Sequence, residues 1–190
     1  MSSDNLVENN IFQHVTSPMM VGNATGTVFG YNYTFDNFYN VTAWQQGSQV
    51  VHDAGIGMIL TEGNQGTSAV GDNLHGTSNF PTYFRNWWHG RDAGKTAATV
   101  PFEFQSIIRY LNLIGNVVGT PGYHTNYECA PATATTGSCS QSADHSIYSL
   151  GWSGNQGSKL SFLPNDPLVR ATMMRWGNYD TATATSRFVA

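Results

Sequence analysis

Short runs of β-branched and aromatic residues, set off by Gly, Ser and Thr, end repeatedly in asparagine along this chain. The unit appears as Leu6-Val7-Glu8-Asn9-Asn10, Val28-Phe29-Gly30-Tyr31-Asn32 and Ile59-Leu60-Thr61-Glu62-Gly63-Asn64. It returns as Tyr83-Phe84-Arg85-Asn86, Leu111-Asn112-Leu113-Ile114-Gly115-Asn116 and Met173-Met174-Arg175-Trp176-Gly177-Asn178, with a weaker copy at Leu150-Gly151-Trp152-Ser153-Gly154-Asn155. From Asn10 onward the intervals are 22, 32, 22, 30, 39 and 23 residues, which is the pattern of a coil repeat interrupted by loops.

The runs favour strands, because strong helix formers are scarce and residues such as Thr82-Tyr83-Phe84 and Val117-Val118 suit a pleated surface. Even residues 101–111, the nearest approach to a helix, alternate as a strand does. A coil of this kind cannot bury its apolar face alone, so neighbouring coils must stack. Stacked Asn10, Asn32, Asn64, Asn86, Asn116 and Asn178 would hydrogen-bond as a ladder. Asn is also among the few non-glycine residues that tolerate the left-handed conformation of a tight bend, and a preceding Gly loosens the bend further. The expected fold is all-β: a right-handed parallel β-helix, a single-stranded solenoid of about six to seven coils filling residues 1–190. The chain opens in mid-pattern, as a piece of a longer solenoid without caps would, and such a piece is expected to associate end to end.

Composition agrees with this picture. Charged residues are 11% and aromatics 13%, with 17 Asn, 20 Thr, 16 Ser and 20 Gly, too little charge for a coiled coil and too much aromatic surface for a disordered chain. The net charge of −4 leaves no electrostatic footprint for nucleic acid, and no apolar run is long enough for a membrane span. All eight cations lie after residue 84, and Arg85, Arg91 and Lys95 fall close together.

Cys129 and Cys139 bracket a Thr/Ser-rich stretch without hydrophobic periodicity, an inserted loop around residues 129–145. A disulfide closing that loop implies an oxidising compartment, and two free thiols are the alternative.

The runs Asn-Leu-Val-Glu-Asn-Asn-Ile-Phe, Gly-Tyr-Asn-Tyr, Tyr-Leu-Asn-Leu-Ile-Gly-Asn-Val and Met-Met-Arg-Trp-Gly-Asn-Tyr make the chain resemble right-handed parallel β-helix proteins of the pectin-lyase-like superfamily. That resemblance implies secretion or a cell-surface location and contact with polysaccharide. The superfamily holds lyases and glycosidases as well as adhesins and tailspikes, so it implies no single reaction. Polygalacturonase-like hydrolysis would bring an Asp-Asp pair and a lyase an Arg-x-Pro-x-x-Arg, and neither stands here. Calcium enters only on the lyase reading, and otherwise no cofactor or metal is expected.

The richest polar segment is therefore the expected site. Asp72, His75, His89, Arg91 and Asp92 are the catalytic candidates, and Glu62, Arg85, Trp88 and Lys95 the substrate-binding ones, with Glu62 one coil from Arg85 and able to pair with it. Trp87 and Trp88 point to opposite faces of a strand, so one of them belongs to the core. The expectation is a secreted protein that binds or cleaves polysaccharide. The alternative is a non-catalytic extracellular β-helix, adhesin-like or structural.

Overall fold

A computed structural model of the chain describes residues 2–137, 139–154 and 163–189. The first coil runs through strands Ser2–Ser3, Leu6–Glu8, Ile11–Gln13 and Met19–Val21. The second repeats it through Ala24–Thr25, Val28–Gly30, Tyr33–Phe35 and Gln49–Asp53. Each strand lies parallel to its counterpart one coil away. The stacked coils make a short sheet, one long sheet curled into two arms, and a third sheet facing the arms. This is a parallel β-helix, and the one helix among the described residues, Pro167–Ala171, lies near the C-terminus.

The core follows from strand alternation. Along the first arm Val7, Phe29, Thr61, Tyr83, Leu113 and Arg175 stack in register. Across the interior, Phe102 of the third sheet stacks on Tyr148 of the next coil with ring centroids 5.6 Å apart and planes 3° from parallel. Burying each such ring contributes on the order of 2–3 kcal/mol.

The asparagines form a continuous ladder at the corner between the arms. Asn32 Nδ2 donates to Asn64 Oδ1 at 2.9 Å and to Val7 O at 3.0 Å, while Asn64 Oδ1 also accepts from the Asn32 backbone N–H at 2.8 Å. The same scheme joins Asn64 to Asn86, Asn86 to Asn116 and Asn116 to Asn178. Each inner rung thus satisfies backbone and side-chain groups of two neighbouring coils. The spacing from Asn116 to Asn178 is 62 residues, so the weaker copy at residues 150–155 contributes no rung between them. Its Asn155 lies outside the described residues, and Leu150 belongs to a strand of the third sheet, Ser146–Leu150.

The bend itself is made one residue earlier than expected. Asn9, Tyr31, Gly63, Arg85, Gly115 and Gly177, each just before a rung, have φ between 56° and 70°, and none of the rung asparagines does. The ladder asparagine is there for its hydrogen bonds, and the residue before it turns the chain. Gly115→Val, a β-branched residue at positive φ, is expected to lower stability by about 1–2 kcal/mol. Gly115→Asn is expected to cost well under about 1 kcal/mol, because Asn tolerates this conformation. Gly115 is exposed, so urea midpoints of the two variants separate backbone strain from packing.

The two ends differ. The described strands of the first coil are paired on one side only. At the other end, Thr185–Val189 pairs antiparallel with Met174–Asp180 and covers that edge. There the core closes on charge: Glu128 accepts from Arg175 and Arg170, both at 2.7 Å, and the buried Arg175 guanidinium lies over Tyr127 and Tyr148. The expectation of two bare ends is thus corrected at the C-terminal one.

Three of the insertions into the coils share one corner. Residues 36–48, 89–101 and 119–145 all leave the helix between the second arm and the third sheet. The last insertion carries strand Asn126–Cys129, which extends the third sheet beyond Ser146–Leu150, and there Cys129 and Cys139 form a disulfide. The outer face of the third sheet is consequently flanked by loops along one side.

Candidate functional site

In strand Phe102–Phe104 the two phenylalanines face the core and Glu103 between them faces outward. Register sets Glu103 beside Val70, Val70 beside Val50, and Val50 beside Met20, an acid at the end of an apolar strip. The insertion 36–48 returns along this face, and Tyr39, Trp44, Gln45 and Gln46 wall a groove of about 270 Å³ over the strip. Tyr39 and Trp44 form a ring pair with centroids 5.8 Å apart.

Glu103 is only 6% exposed. Gln105 Nε2 donates to its Oε1 at 3.1 Å, and among the described residues its other oxygen has no hydrogen-bond partner. Burial pushes its carboxyl up to about 7; the Gln105 hydrogen bond opposes that shift, and the charges of Asp72 and Asp144 add to it. On the neighbouring strand, Ala69–His75, Asp72 Oδ2 lies 2.7 Å from His52 Nδ1, and Asp72 Oδ1 accepts from the Leu74 N–H at 3.0 Å. The carboxylate can only accept, so the His52 Nδ1–H is the donor of this hydrogen bond. His75 meets His52 edge-on, with centroids 4.8 Å apart.

Against protein-family models, curated proteins and solved structures, the chain matches none. The reading of the site therefore stands on its own residues.

The groove wall is braced by residues that sequence reasoning had placed in the chemistry. Asp92 Oδ2 accepts from the Asn37 N–H at 3.2 Å and from Gln45 Nε2 at 3.1 Å, while the Asp92 N–H donates to Gln45 Oε1 at 2.6 Å. Lys95 Nζ donates to Thr42 O at 3.0 Å. Both side chains hold the 36–48 insertion in place.

The other candidates do not converge. Trp88 is fully buried in the core and cannot touch a bound chain; Trp87 is the exposed member of the pair. His89 is half-buried, its Nδ1 2.9 Å from Arg91 O; burial lowers its pKa, against that hydrogen bond and the Asp92 charge. Arg91 lies over the Tyr123 ring at 4.0 Å. The expected Glu62–Arg85 ion pair is not among those of the described residues. Register puts Phe84, not Arg85, beside Glu62, so Glu62 accepts from Tyr31 Oη and Arg85 lies over Phe84. Of the nine candidates, Asp72 lines the groove and His75 stands next to it. Glu103 and His52 were not foreseen.

Calcium needs six or more oxygen ligands. Asp72 already holds His52 and the Leu74 amide, and among the described residues no three His, Cys, Asp or Glu side chains are placed to hold a metal ion. The described residues do not fit the calcium of the lyase reading.

Proposed function

We propose that this is a secreted β-helix protein of pectin-lyase-like type that binds polysaccharide along the groove over its third sheet. The carrying observation is the groove's composition: an apolar strip, a ring pair on the wall, and a buried carboxyl with one unpartnered oxygen. An apolar floor suits the C–H faces of sugar rings, and a few convergent polar groups suit their hydroxyls. The disulfide favours an oxidising compartment, in keeping with secretion.

Affinity electrophoresis on a panel of neutral and acidic polysaccharides tests the reading. Retardation is expected in at least one glycan, with a loss of about tenfold in affinity, on the order of 1.4 kcal/mol, for Trp44→Ala. Mobility unchanged across the whole panel would overturn it.

A second reading, binding without turnover, is favoured by a different surface. Ile11, Tyr33, Trp87, Val117 and Tyr179 are exposed and occupy one register row of the second arm, interrupted only by Gln65. If that row is the binding face, Trp87→Ala abolishes retardation and Trp44→Ala leaves it intact.

A further inference from the structure

The groove's chemistry supports more than binding. Among the described residues its lining contains no Lys or Arg, whereas Asp72 and Glu103 both face it and the Asp144 charge reaches Glu103. A polyuronate would bring its own carboxylates against these acids, and like charges at close range are unfavourable. The nearby cations are engaged elsewhere, Lys95 on Thr42 and Arg91 on Tyr123. The apolar strip of Met20, Val50 and Val70 under Trp44 suits an uncharged ring.

Resting on the groove assignment above, we infer that the site hydrolyses the glycosidic bond of a neutral glycan, with Glu103 as the general acid and His52, oriented by Asp72, as the general base. Glu103 and Asp72 lie on adjacent strands, and Gln105, which follows Glu103 on the same face, holds one Glu103 oxygen, while the other has no hydrogen-bond partner among the described residues. A carboxyl whose pKa is raised to about 7 still holds its proton in mildly acidic solution, as a general acid must. In the step, the Glu103 proton passes to the glycosidic oxygen as its bond to the anomeric carbon breaks. A water oxygen bonds to that carbon, and a water proton goes to His52 Nε2. The imidazolium then returns a proton through solvent to the Glu103 carboxylate. One water is consumed, and a new reducing end and a free hydroxyl are formed. Asp72 is a positioning residue, since it acts through its hydrogen bond to His52.

The experiment uses the full chain on soluble neutral polysaccharides (β-glucan, xylan, mannan) and on polygalacturonate and alginate, following reducing ends, unsaturated products and electrophoretic retardation. Wild type is expected to release reducing ends from at least one neutral glycan and none from either polyuronate. Glu103→Gln is expected to lower the rate by about a hundredfold or more, a loss larger than any it causes in retardation. That loss should shrink on an aryl glycoside of the same sugar, whose acidic phenol needs no proton to leave. Asp72→Asn, which leaves His52 without its carboxylate acceptor, is expected to lower kcat with little change in KM, and Asp72→Glu to restore part of the rate. If Glu103→Gln does not fold, His52→Gln carries the same rate test. Retardation without reducing ends from wild type overturns the hydrolytic inference and leaves the binding reading standing. So does turnover of a polyuronate, release of unsaturated products, or a rate indifferent to Glu103→Gln. Absence of both retardation and turnover overturns both readings.

Discussion

Asn116→Ala is expected to destabilise the protein by about 3–5 kcal/mol, the loss coming from orphaned hydrogen-bonding groups more than from lost volume. Asn116 is fully buried. Its Oδ1 accepts from the backbone N–H and the Nδ2 of Asn86, both at 3.0 Å, and its Nδ2 donates to Tyr83 O and Asn178 Oδ1, both at 2.9 Å. An alanine leaves these groups in a site where each missing partner costs roughly 1–3 kcal/mol, and the Asn86 amide has no solvent to turn to. Asn10→Ala is the internal control. That rung is exposed, and its own Nδ2 donates to Asn32 Oδ1 and Glu8 O near water, so its loss should cost no more than about 1 kcal/mol. Urea titrations give both numbers, with a lower midpoint and an unchanged slope at Asn116. Equal, small losses at the two positions would show that the ladder follows the fold and does not hold it together.

Why the ladder could be read from sequence while the groove could not is a matter of where each constraint acts. Only a side chain with donor and acceptor on one short stem can bridge coils in both directions, so the rungs leave a period in the sequence. The bend before each rung leaves a weaker trace. Three of its six positions are Gly and the others are Asn9, Tyr31 and Arg85, so the left-handed residue is easily assigned to the neighbouring asparagine. Asn155 follows a Gly, as Asn64, Asn116 and Asn178 do, but its segment follows a strand of the third sheet and Asn116 bonds directly to Asn178. Glu103 was half legible: the alternation of Phe102, Glu103 and Phe104 turns it outward. What lies over that outward face is decided by the 36–48 insertion, whose path depends on Asp92 and Lys95 some fifty residues later. The cations after residue 84 cluster in the chain yet disperse in space, since Arg85 sits on a bend and Arg91 and Lys95 belong to an insertion. Likewise His52 and Asp72 meet because they occupy neighbouring coils, at a separation of 20 residues that carries no recognisable motif.

Wild-type stability is expected to fall between about pH 5 and pH 8 by about 3 kcal/mol relative to Glu103→Gln. The cause is the buried Glu103 carboxyl, raised from an ordinary 4.5 to about 7. Below the unfolded value the group is protonated in both states and adds no pH dependence. Between the two values the folded protein keeps the proton and the unfolded chain releases it, so a rise in pH favours unfolding. Above the folded value the carboxylate is charged in both states, and the full cost of holding that charge in the groove floor is present. The groups facing it are Asp72 and Asp144, which oppose its ionisation, Gln105, which favours it, and the His52–His75 pair beside Asp72. Burial lowers the pKa of both His89 and His124, and these act with the opposite sign, withdrawing stability as pH falls through the ordinary histidine range. Raw wild-type curves therefore mix both trends, and the difference between wild type and Glu103→Gln at each pH isolates the carboxyl, since both histidines remain in the variant. Denaturant melts across the range should give a difference that grows with pH and levels off above neutrality. A difference that stays constant from acid to alkaline pH would mean that Glu103 ionises as an ordinary surface carboxylate does, and it would remove the acid from the groove.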